Sequence, residues 1–161
     1  MDQIEQLCEV LGREARLCDD LAGILRDEQE AVIRLRPEAI LACLERRETV
    51  QEELARVARE RREMVEAVGT AHGRCTSRAT EVLPLLPPEP QGRVRTRLQD
   101  LRRALLAARG VGRQNALLIG SGLDTVGELL RTLRALVPGA RYGADAQVAT
   151  PLPADRLNRR A

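Results

Sequence analysis

From Ile4 onward, apolar side chains return every three or four residues: Ile4, Leu11, Cys18, Leu25 and Val32 at one heptad position, Leu7, Leu21 and Leu35 at the other. That spacing lays them along one stripe of an α-helix, and so long a stripe must be covered by another helix. Glu14 and Glu28 interrupt it, while Ala15 and Ala22 widen it on one flank. Pro37 disfavours helical geometry in the residue before it, so the first helix is expected over about residues 3–36. Pro37 itself suits the first position of a second helix, and Glu38 falls in a first turn that favours an acid. The second stripe runs Ile40, Cys43, Leu44, Val50, Leu54, Val57, Met64 and Val68, giving a helix over 38–68. Arg47 and Arg61 sit on its seam, where each must snorkel or pair. So short a break between two long helices makes them antiparallel neighbours.

The material of the core supports the same architecture. One Tyr, no Phe and no Trp leave Leu, Val, Ile and Ala to fill it, as regular helix–helix contacts require. The scarcity of rings also argues against single-stranded nucleic-acid binding, which stacks bases on aromatics. All 26 basic residues are Arg, and the net charge of +2 calls for no anionic partner. Residues 1–36 carry nine acids against five Arg, and residues 91–137 carry nine Arg against three acids. An acidic first helix beside a basic third one accounts for this better than a phosphate-binding strip of Arg93, Arg95, Arg97, Arg102 and Arg103.

Gly69 and Gly73 close the second helix, and a Pro-rich connection follows over 69–90, with Pro84, Pro87, Pro88 and Pro90. A third helix is expected over 91–137, on the stripe Leu98, Leu101, Leu105, Ala108, Asn115, Ile119, Val126, Leu129, Leu133 and Leu136. Gly110, Gly112, Gly120, Gly122 and Gly127 weaken its middle, pointing to a kink, a break or close packing. The expected fold is all-α: an elongated antiparallel hairpin plus a long third helix, a three-helix bundle over residues 1–138. Residues 139–161 lose all periodicity and read as a flexible C-terminal tail for binding a partner. Tyr142, Val148, Leu152 and Leu157 are its apolar side chains.

No chemistry is visible along the chain. His72 is the only histidine, and its nearest nucleophile, Cys75, shares a loop with nothing to orient the ring. Carboxylates on a bundle seam can hold metal, but such sites use Glu-x-x-His repeats, which this sequence lacks. Gly110-Val111-Gly112 lies inside a helical pattern, not after a strand, so no nucleotide loop is implied. Cys8, Cys18, Cys43 and Cys75 have no C-x-x-C spacing, and with no signal peptide they read as reduced thiols in a cytoplasm. No apolar run approaches the roughly 20 residues of a membrane span. The chain reads as a binding protein with no enzymatic activity and no cofactor.

The stretch RQNALLIGSGLDTVGELLRTLRAL followed by RYGADAQ resembles the end of the FlgN family of flagellar chaperones. Asn115, Leu118 and Ile119 match that family's helix patch, and Tyr142, Gly143, Ala144, Asp145 and Gln147 match a second segment. Ala146 stands where the family usually has Gly. The resemblance implies a cytoplasmic export chaperone of the type III apparatus. It would bind hook–filament junction subunits, keep them soluble and unassembled, and bring them to the membrane export gate. Asn115, Leu118, Ile119, Tyr142, Gly143, Val148, Leu152 and Leu157 are the expected partner contacts, with Tyr142 as anchor. A homodimer is compatible with the heptads, and the rival reading is a self-associating coiled-coil scaffold.

Overall fold

The computed structural model describes residues 3–136, together with the backbone of 141–142 and 148–149. Helix α1 spans Gln3–Ile33, α2 spans Pro37–Ala71, a single turn α3 spans Ala79–Val82, and α4 spans Pro88–Leu136. Two-residue strands, β1 (Arg141–Tyr142) and β2 (Val148–Ala149), pair antiparallel with Tyr142 opposite Val148. The chain divides into two compact units, Met1–Leu117 and Leu118–Ala161. The rest of the expected tail lies outside the described residues.

The all-α architecture follows the heptads, but the helix ends move, each for a local reason. α1 stops at Ile33 because Leu35 takes a left-handed conformation, φ +50°, a position usually given to glycine. The Arg36 N–H then donates to the Ala31 carbonyl at 2.9 Å, closing the turn. Arg36, at φ −104° and ψ 89°, is extended as a residue before proline prefers, and Pro37 opens α2. α2 continues through Gly69 to Ala71, where His72 and Gly73 donate backbone N–H groups to the carbonyls of Gly69 and Thr70. α4 begins at Pro88, not at Gln91, because prolines in a first turn lack only N–H groups that have no helical partner anyway.

α1 and α2 form the expected antiparallel hairpin, and its polar seam residues find each other. Glu14 accepts from Arg61 Nε at 2.7 Å, and Glu28 accepts from Arg47 Nη1 at 3.0 Å. The two ion pairs stand two heptads apart on each helix. The expected acidic–basic pairing of the first and third helices is slight by comparison: Arg93 approaches Glu5 at 4.0 Å, and Arg103 binds Asp100 of its own helix.

The core lies where the start of α1 meets the end of α2. Leu7 and Leu11 pack with Val65 and Val68, with Val82 and Leu86 of the connection, and with Val94 of α4. Gly69 is needed there, since a Cβ at that position would stand 2.8 Å from the Arg74 carbonyl oxygen. Farther along the hairpin the packing loosens. A groove of about 500 Å³ opens between the three helices, lined by Cys18, Leu21, Leu54, Ala58, Leu101 and Leu105 among others.

Candidate functional site

The long stripe of α4 divides at Asn115. Val94, Ala104, Ala108 and Asn115 are the buried residues of this helix, and among the described residues none follows Asn115. From there Ile119, Val126 and Leu133 recur every seven residues, with Leu123 and Leu130 between them and Leu129 and Leu136 widening one side. All seven are exposed, Leu123 at 68% and Leu136 at 72%. The opposite face carries Ser121, Asp124, Thr125, Glu128, Arg131 and Thr132, and the threonine hydroxyls donate to carbonyls one turn back. This is an amphipathic helix with its apolar face open to solvent, an arrangement that marks an interaction surface.

The glycines of α4 neither break the helix nor bring another backbone close. Helical geometry runs through all six, and a Cβ at Gly92, Gly110, Gly120, Gly122 or Gly127 would have nothing within 4 Å. Only Gly112 meets a neighbour: a Cβ there would lie 3.7 Å from Leu25 Cδ1, an ordinary contact. The weak helix propensity is tolerated because hydrogen bonding is continuous, with nothing crowding the missing side chains.

The expected partner contacts separate into three groups. Asn115 is 4% exposed and faces the hairpin. Its Nδ2 donates to the Leu25 carbonyl at 2.7 Å and to Glu28 Oε2 at 3.1 Å, so it joins the ion pair of Glu28 and Arg47. Leu118 is half-buried at the margin of the open stripe, and Ile119 lies on it. Tyr142 and Val148 share a backbone rung between β1 and β2. Gly143, Leu152 and Leu157 lie outside the described residues. Sequence reasoning misses Leu123 and Leu130, although their spacing from Ile119 and Val126 is the available signal.

Nothing elsewhere in the described residues is arranged for turnover. The His72 ring donates from Nδ1 to the Val68 carbonyl at 2.8 Å, capping the end of α2. Burial raises the pKa of Cys8, against the opposing pull of Arg93 and Arg97, and burial also raises that of Cys18, with Glu14 and Asp19 adding to it. Both thiols are thereby held in their unreactive protonated form. No group of three metal-ligating side chains forms among the described residues, and no helix is long and apolar enough to cross a membrane.

The FlgN protein family profile matches residues 1–150, nearly the whole chain. No curated protein and no solved structure matches it. The heptad hairpin, the open amphipathic end of α4 and this match lead to one conclusion: the chain belongs to the FlgN family, the cytoplasmic, non-enzymatic flagellar export chaperones that bind hook-associated proteins.

Proposed function

We propose that the chain holds a terminal amphipathic helix of a hook–filament junction subunit on the open stripe of α4, keeps that subunit unassembled, and hands it to the export gate. The observation that carries this is the row of exposed aliphatic side chains from Ile119 to Leu136. An exported subunit displays apolar helical faces before assembly, and helix-in-groove docking reads such faces at the spacing found here. Leu118 and Ile119 open the contact surface, and Tyr142, Gly143, Val148, Leu152 and Leu157 extend it. Tyr142 is the anchor, being the one rigid amphipathic side chain in the sequence. A pure scaffold would instead use the same stripe to pair with a copy of itself, and a concentration-dependent mass with no affinity for a hook-associated protein would favour that reading.

The test is binding of a purified hook-associated protein to the full chain and to Leu123→Asp and Leu130→Asp. Each charge placed on the stripe is expected to weaken the complex about tenfold or more, equivalent to about 1.4 kcal/mol. Thermal melting should not change, because both side chains are already in water. Unaltered affinity in both variants would move the binding surface elsewhere.

A further inference from the structure

We infer that Asn115 sets the register of α4 against the hairpin, and thereby determines which leucines of α4 remain uncovered. Val94, Leu101, Ala108 and Asn115 recur at intervals of seven on the face turned to α1 and α2. A slip of one heptad would exchange apolar for apolar among Val94, Leu101 and Ala108, of which Leu101 and Ala108 line the loosely filled groove. Asn115 alone would lose something specific. In the observed register its Nδ2 donates both to the Leu25 carbonyl and to Glu28, whose second oxygen holds Arg47, so one amide ties three helices together.

The Asn115 Oδ1 atom is buried and has no hydrogen-bond partner. A side chain selected for stability alone would not strand an acceptor in this way; a buried asparagine that selects one alignment at a cost in stability does. A slip in one direction would put Gly122 in its place and Asn115 at the apolar level of Ala108; a slip in the other would put Ala108 in its place and Asn115 at the level of Gly122. Either slip leaves Glu28 without its second donor. The consequence for subunit binding rests on the stripe being the binding face, whereas the register itself does not.

The experiment is disulfide mapping on the full chain, with Cys8, Cys18, Cys43 and Cys75 replaced by Ala. Leu25→Cys is combined with Gly112→Cys, the neighbour in the observed register, or with Leu105→Cys or Ile119→Cys, which would take that place after a slip of one heptad. With Asn115 present, oxidation should link Leu25→Cys to Gly112→Cys alone. In Asn115→Leu the native link should fall several-fold while a slipped link appears, with helicity and melting temperature retained or raised. Asn115→Ala provides the same readout without added bulk. A native link undiminished in both variants would overturn the inference. Binding of a hook-associated protein, measured on the same set, separates the two ideas: if Leu123→Asp leaves affinity intact while the links redistribute, the binding face is wrong and the register role stands.

Discussion

Glu28 places a carboxylate on the apolar seam of α1, where its side chain is 4% exposed, and two donors on different helices satisfy it. Removing one member of such a group leaves the others desolvated and unpaired, which costs more than the group contributes. Glu28→Ala is expected to destabilise the chain by about 2–3 kcal/mol in urea melting followed at 222 nm, the lower figure reflecting the partly exposed Arg47. Glu28→Leu combined with Arg47→Met should recover most of that loss. The thiols give a second test at this scale. Cys75 is exposed, whereas burial keeps Cys8 and Cys18 protonated to higher pH. Alkylation of the native chain near pH 8, mapped by mass spectrometry, should therefore modify Cys75 first, with Cys8 and Cys18 following only as pH rises or the chain unfolds. The pairing of the seam charges was readable in the sequence, since Glu14, Glu28, Arg47 and Arg61 all interrupt apolar stripes. The place of Asn115 was not, because an amide on a heptad seam is compatible with either a partner or the protein's own core.

At the level of helices, the two long stripes and Pro37 made the hairpin legible, and the ends moved only where backbone conformation overrode pattern. Leu35 in a left-handed turn has no sequence signature, so the early end of α1 could not be read. The open stripe was half legible. Periodicity locates an apolar face but does not say whether anything covers it, and the face beyond Asn115 continues the one that packs. Glycine differs by site in the same way. Gly69→Ala should destabilise by about 1–3 kcal/mol, since its Cβ would press on the Arg74 carbonyl oxygen and Thr76 Cγ2. Gly120→Ala has open space and should raise helicity and stability by about 0.5–1 kcal/mol. Circular dichroism and thermal melting of the two variants would show opposite signs.

For the whole molecule, the buried core and the exposed apolar stripe fall in different stretches of chain. The buried cluster around Leu7, Val65, Val82 and Val94 belongs entirely to the unit Met1–Leu117, whereas the exposed stripe belongs to Leu118–Ala161. A chain ending at Leu117 is expected to keep a cooperative thermal transition and to lose its affinity for hook-associated proteins, as checked by calorimetry and a binding titration. Loss of the transition would mean that the second unit helps hold the first together. The two seam ion pairs between α1 and α2, Glu14–Arg61 and Glu28–Arg47, also bear on how the chain reaches this state. Sequences rich in leucine and alanine collapse readily, and a collapsed hairpin can zip up out of step. Displaced by seven residues one way, Glu14 and Glu28 would confront Val68 and Leu54; displaced the other way, Leu54 and Ile40. Both carboxylates would be stranded at once, so a mispaired hairpin is penalised twice and reopens before it can become a lasting trap.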